Sequence, residues 1–230
     1  MPLSPLQQIR LDIDRAADAA GRPHAQLLAV SKTQPAEAVA ALAAQGQRAF
    51  GENYVQEAAA KIAALAEAGL EWHLIGHLQS NKAEQAATLF DWVQTVDRPK
   101  LVAALAKGRA AAPERAPLNV LIQVNIDDEA SKHGCQPDAV DVLAAAIAAQ
   151  PALTLRGLMA IPAPWPEAER RIDAFARMHA LFARLRTAHP QVDTLSMGMS
   201  GDFADAIAAG ATMVRVGTAL FGARGPRASG

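Results

Sequence analysis

Lys32 stands two residues beyond the apolar run Leu27–Val30, with Ser31 before it and Thr33 after it. A lysine at the end of a buried strand keeps its stem among apolar neighbours. Desolvation there lowers the ammonium pKa and exposes a nucleophilic amine of the kind that forms Schiff bases. A solvated lysine in a strand-to-helix loop would have the same sequence. Two turns rich in glycine and hydroxyls follow far down the chain. One is Ser196-Met197-Gly198-Met199-Ser200-Gly201-Asp202; the other is Gly217-Thr218, opening the short segment Ala219–Gly222. Glycine lets the backbone approach closely, free N–H groups point at an anion, and hydroxyls add donors. Each turn alone is commonplace; together they suit a phosphate. Between them Arg215 interrupts the apolar run Met213–Val216. Period-2 alternation sets Met213, Arg215 and Gly217 on one face and Thr212, Val214 and Val216 on the other. A guanidinium directed into an interior is costly unless it meets a carboxylate or a polar ligand. A structural salt bridge and contact with a flat phosphorylated ring both answer that need.

The elements that must position these groups are visible as eight short apolar runs. They are Leu27–Val30, Arg48–Phe50, Trp72–Ile75, Trp92–Val96, Asn119–Val124, Leu155–Ile161, Thr194–Met197 and Met213–Val216. Several are nearly all apolar, as parallel strands covered on both faces must be. Between them lie segments of high helix propensity, among them Ala36–Gln45, Val55–Ala68, Lys100–Ala112, Ala139–Gln150 and Ala168–Ala188, and a first helix at about Leu6–Ala20 precedes them all. Eight such units read as an α/β fold, a single (β/α)8 TIM barrel with an extra N-terminal helix, spanning 1–230 as one domain with a loose tail at 224–230. An open doubly wound sheet is the runner-up, because strand order is invisible in sequence. A barrel carries its site at the C-terminal strand ends, often with phosphate on the loops after strands seven and eight. That end collects Ser31-Lys32-Thr33, Gly51-Glu52-Asn53, the stretch 76–82, Asn125, Met159, Gly198-Met199-Ser200, and Arg215 with Gly217-Thr218. Lysine, phosphate cup and ring contact are what pyridoxal phosphate requires of a protein.

Composition narrows the classes. The 230 residues are 51% hydrophobic with a formal charge of −1, so no basic field favours nucleic acid or an anionic membrane. The lone Cys135 excludes an internal disulfide and suits a reducing cytosol, and it reads as a plain loop thiol. Arg10, Asp12, Asp14 and Arg15 argue against a signal peptide, and no uncharged apolar run is long enough to span a membrane. A soluble cytoplasmic protein is expected. His73 and His77 flank a strand end with no third ligand evident, so no metal is expected. Asp127-Asp128-Glu129 reads as a solvated acidic turn. Lys82 and Lys132 read as surface lysines, with transient capture of a second cofactor as the alternative. No Walker A or Rossmann glycine pattern occurs.

Six blocks in order resemble the pyridoxal phosphate homeostasis protein family, also called the proline synthetase co-transcribed family: AVSKTQP (29–35), FGENYVQE (50–57), WHLIGHLQSNK (72–82), LIQVNIDDEASKHG (121–134), LRGLMAIP (155–162) and LSMGMSGDFADAIAAGATMVRVGTALFGAR (195–224). The resemblance implies a fold-type III barrel similar to the N-terminal domain of alanine racemases. It implies that Lys32 carries the cofactor, that Ser200, Gly217 and Thr218 bind its phosphate, that Arg215 faces the pyridine nitrogen, and that Asn53 and Met159 neighbour the ring. Gln34 departs from the pattern, where many members have a second lysine. Three functions follow: a carrier that buffers pyridoxal 5′-phosphate and supplies it to apo forms of dependent enzymes, an amino-acid racemase or decarboxylase of the same barrel type, or a cofactor-free Schiff-base aldolase. The racemases that resemble this barrel take a second base, a tyrosine, from an additional domain. The only tyrosine here is Tyr54, and an arginine at the ring nitrogen weakens the electron sink. Both points favour a carrier, expected as a monomer without a physiological catalytic role.

Overall fold

Ser4 opens the first helix with a reciprocal cap. Its hydroxyl accepts the Gln7 backbone N–H at 3.3 Å, and the Gln7 side chain accepts Ser4 N–H at 2.9 Å. The helix α1 (Pro5–Ala20) ends at Gly21, at φ 59, and Leu6, Ile9, Ile13 and Ala17 form its buried stripe.

The computed structural model describes residues 2–129, 132–163 and 165–222. Strands β1 (Gln26–Val30), β2 (Ala49–Glu52), β3 (Glu71–Leu74), β4 (Trp92–Val96), β5 (Leu118–Val124), β6 (Leu153–Ala160), β7 (Thr194–Met199) and β8 (Met213–Val216) alternate with helices α2 (Ala36–Ala44), α3 (Val55–Ala64), α4 (Ala83–Leu89), α5 (Pro99–Ala110), α6 (Val140–Ala148), α7 (Ala168–Ala188), α8 (Phe203–Ala208) and α9 (Thr218–Phe221). Every neighbouring strand pair is parallel, and β8 pairs back onto β1. That closure makes a (β/α)8 barrel and excludes the open sheet. Each apolar run carries a strand. The stretch Val55–Ala68 divides, with α3 stopping at Ala64 and a separate 3-10 turn at Ala66–Ala68. The tail expected at 224–230 lies outside the described residues.

Two apolar layers hold the barrel. The outer one packs strand residues such as Leu27, Ala29, Val214 and Val216 against the helices. The inner one fills the barrel with Leu28, Ala49, Ile75 and Met213 on one side and Trp92, Leu121 and Met159 on the other. Met213 therefore points inward and Val214 outward, which fixes the inward direction of Arg215. The helix α1 packs on α8 and α9.

Candidate cofactor-binding site

The β1–β8 register pairs Leu28 with Arg215 and Ala29 with Val216, so the two chains leave the barrel side by side. Val30, Lys32, Thr33, Gln34, Gly217, Thr218 and Gly222 line one cleft there. Lys32 is half-buried, and among the described residues it has no hydrogen-bond or ion-pair partner. A side chain at Gly217 would crowd the Val30 carbonyl at 3.2 Å, so glycine lets this turn lie against β1.

The loop bearing Lys32 is held from below by buried charge. Lys61 Nζ, on α3, donates to the Ser31 carbonyl at 2.8 Å, to both Glu52 oxygens at 2.8 and 3.0 Å, and to Glu57 Oε1 at 2.8 Å. Ser31 Oγ donates to Glu52 at 2.6 Å, and Thr33 N–H donates to Glu57 at 2.6 Å. The residues on either side of Lys32 are thus both tied to one cluster. Thr33 is held at φ 63, a conformation a β-branched residue rarely adopts. Burial pushes the Glu52 carboxyl above its usual range, against the pull of Lys61 and Ser31. Glu52 stood out in sequence only as a polar strand end, and Glu57 and Lys61 not at all, although the last two sit at helical i,i+4 spacing.

Arg215 lies inside the barrel, 3% exposed. Its Nη1 donates to Ser196 Oγ at 2.8 Å and its Nη2 to the Ala160 carbonyl at 2.7 Å. The salt-bridge reading gives way, since a hydroxyl and a carbonyl stand where a carboxylate would. Desolvation lowers its pKa to about 10, opposed by Asp202, which leaves it cationic at neutral pH. The chain of donors continues across the barrel. Ser196 Oγ donates to Gln94 Oε1 at 2.7 Å, Gln94 Nε2 donates to His73 Nδ1 at 2.9 Å, and His73 Nε2 donates to Glu71 at 2.8 Å. This order assigns His73 as a neutral imidazole with its proton on Nε2. Burial lowers its pKa further than Glu71 raises it.

The remaining candidates are more dispersed. Ser200 is exposed in the turn after β7, where Asp202 accepts Met199 N–H at 2.6 Å. Asn53 lines a separate cavity with Gly76, His77, Gln123 and Lys132. Met159 is fully buried against Trp92 and Leu121 in the barrel interior. Tyr54 is 61% exposed and shares a cleft with His77 and Lys82, not with Lys32. Lys132 is only partly a surface lysine: its Nζ lies 3.2 Å from the Ile161 carbonyl and 3.2 Å from Glu129. The acidic turn is not simply solvated, because the Asp127 side chain is only 5% exposed, accepts Ala163 N–H at 2.7 Å and pairs with Arg177 at 3.1 Å. Cys135 is buried, and desolvation pushes its thiol up to about 12, so it stays protonated at neutral pH.

The arrangement brings a free amine, a glycine-threonine turn and a buried cation to one end of a barrel. Comparison with known proteins agrees. Residues 5–225 match the family described as alanine racemase, N-terminal domain. The chain is 54% identical over 224 residues to the pyridoxal phosphate homeostasis protein of Escherichia coli strain K12, covering 95% of each. It is 37% identical to PipY of Synechococcus elongatus, solved with PLP bound, at a TM-score of 0.79 over 91% of this chain and 99% of that one. The alanine racemase of Corynebacterium glutamicum, 22% identical with a TM-score of 0.64, shares the fold over 96% of this chain and 62% of its own. The chain belongs to the pyridoxal phosphate homeostasis protein family, within the wider family of alanine racemase N-terminal domains.

Proposed function

We propose that this chain binds pyridoxal 5′-phosphate, held covalently by Lys32, and serves vitamin B6 homeostasis in the cytoplasm. In this reading it is a monomer that buffers the cofactor and supplies it to apo forms of dependent enzymes. One observation carries the proposal: the unpaired, half-buried amine of Lys32 shares a cleft with the Gly217-Thr218 turn. The names of the relatives and the PLP bound to PipY support it.

The residues present fit the cofactor. When bound, pyridoxal phosphate supplies a reactive aldehyde on an electron-withdrawing ring. Lys32 provides the amine, and the buried Lys61 cluster fixes the loop that carries it. Gly217, Thr218 and Ser200 would supply N–H and hydroxyl donors to the phosphate. Asn53, from the adjoining cavity, and Met159, from the barrel interior, would neighbour the ring by family resemblance, although neither lines the Lys32 cleft. Arg215, cationic and anchored by Ser196 and Ala160, offers its remaining donors to the ring nitrogen and has no proton to give it at neutral pH. Storage is favoured over turnover because Tyr54 lies outside the Lys32 cleft, so no tyrosine stands opposite that amine as a second base. No helix of the described residues is long and apolar enough to cross a membrane, which is compatible with this role.

The test is a visible spectrum of purified protein before and after borohydride, with mass mapping of the modified lysine. Modification of Lys32 is expected. A cofactor found on Lys82 or Lys132, with Lys32 untouched, overturns the assignment.

A further inference from the structure

Across the barrel mouth from Lys32, the loops after β3, β4 and β5 bring His77, Asp97 and His133 together. In ring order these strands lie opposite the β8–β1 seam. One ligand atom from each residue falls within 4.8 Å of the other two. The two imidazoles stack at 3.6 Å between centroids, 14° from parallel, and both are exposed. The Asp97 side chain beside them is only 10% exposed. We propose that His77, Asp97 and His133 form a binding site for one divalent transition-metal ion of the zinc class.

The backbone at all three positions is anchored. His77 sits between Gly76, whose carbonyl accepts Thr95 Oγ1 at 3.0 Å, and the buried Leu78, whose carbonyl accepts Arg98 Nη2 at 2.9 Å. The loop carrying His133 is stitched onto β5 by Cys135 N–H to the Gln123 carbonyl and Asn125 N–H to the Cys135 carbonyl, each at 2.9 Å. Gly134, at φ +122, permits that approach, for a Cβ there would stand 2.6 Å from Asn125 N. Arg98 Nη1 holds one Asp97 oxygen at 2.5 Å, leaving the other available. A partner of that kind orients a ligating carboxylate without occupying its free oxygen.

Two imidazole nitrogens and one carboxylate make a three-ligand set suited to zinc, with the fourth position left to water. The nitrogen donors disfavour magnesium and calcium, which take oxygen ligands. Ligand bonds of about 2.0–2.1 Å place tetrahedral donors about 3.3 Å apart. The present 4.8 Å spread closes by rotating two exposed side chains on fixed backbone. His77 and His73 both drew notice in the sequence, but His73 faces the barrel interior, and the further ligands for His77 come from different strands.

The test uses the full chain and Zn2+ alone, in competition with a chromogenic chelator. The expected result is one ion per chain, weakened at least about tenfold in His77→Ala and in His133→Ala. Both side chains are exposed, so thermal unfolding of each variant should match the parent. His24→Ala is the control, because His24 is the other exposed imidazole set among carboxylates, 2.7 Å from Asp14 and 3.5 Å from Asp18. Lys32→Ala separates the ion from any chelation by the cofactor. Binding unchanged in both control variants supports the triad. Absence of stoichiometric binding, retention in both triad variants, or loss in His24→Ala or Lys32→Ala overturns it. Co2+ gives a second readout: a ligand-field spectrum present in the parent and lost in His133→Ala, with no such spectrum in the parent counting against the site.

Discussion

The two halves of the barrel mouth are built on opposite principles. On the β8–β1–β2 side the charges are buried and satisfy one another, while the lysine they support is left unpaired. On the β3–β5 side the backbone is pinned by glycines and carbonyls, and the titratable imidazoles stand in solvent. Burying Glu52 and Lys61 costs desolvation free energy that only good geometry recovers. What that arrangement gives is position: Ser31 and Thr33 are held on both sides of Lys32, whose side chain lines one cleft with Gly217-Thr218. The other rim keeps its loops in place but leaves its side chains free to turn. One half is organised before any ligand arrives; the other can adjust to one.

The contrast breaks most visibly at Lys61. Lys61→Met keeps the stem but strands the carboxylate of Glu52, which is fully buried. Removing one partner of a buried ion pair costs about 3–5 kcal/mol, read as a fall in the urea midpoint. Adding Glu52→Gln should recover part of the loss, because it removes the stranded charge. His77→Ala, on the exposed rim, should change stability by no more than about 0.5 kcal/mol. Equal losses from Lys61→Met and His77→Ala would erase the distinction between the two halves.

A smaller effect sharpens the ligand side of the comparison. If Thr218 binds the phosphate as proposed, Thr218→Val deletes a hydroxyl donor to a charged acceptor, worth about 1.5–3 kcal/mol, or roughly a ten- to hundredfold loss of affinity for pyridoxal phosphate. Unphosphorylated pyridoxal, titrated in parallel, should be much less affected. If both weaken equally, Thr218 supports the turn rather than the phosphate.

Much of this was legible from sequence, for identifiable reasons. Parallel strands buried on both faces leave apolar runs, and each run marked a strand; Met213–Val216 even kept its bounds. Helices α4 and α8 escaped notice because seven and six residues give too little period to see. Alternation sent Arg215 inward, but its partners are Ser196 and the Ala160 carbonyl, and a backbone acceptor carries no sequence signal. Glu57 and Lys61 share a helix face, yet Glu52 reaches them from a strand, a contact that only the fold supplies. The same holds for His77, Asp97 and His133, which barrel closure gathers from three loops. His73 and His77 looked like a pair four residues apart, and the strand end separates them into interior and rim.

The smallest expected effect concerns the link beneath the mouth, where His73 on β3 connects through Gln94 and Ser196 to Arg215 on β8. His73 is fully buried, and burial depresses its pKa below the ordinary 6.5, with Glu71 and Asp91 opposing. Below about pH 6.5 the unfolded chain takes up a proton that the folded imidazole refuses. Stability therefore falls as pH falls through that window, by at most about 1.4 kcal/mol per pH unit from this one group. His77 and His179 are depressed too and add slope of the same sign, so the readout is the difference between parent and variant. Glu71, whose carboxyl is lowered by its bond to His73, contributes only nearer its ordinary 4.5, and denaturation between pH 5 and 7 avoids it. His73→Gln keeps a side chain able to bridge Glu71 and Gln94 but has nothing to titrate. Its stability should depend less steeply on pH across that range than the parent's, whatever its absolute value. An unchanged slope would mean that His73 takes its proton without leaving the network, and the two halves of the mouth would then be joined by a charged link instead of a neutral one.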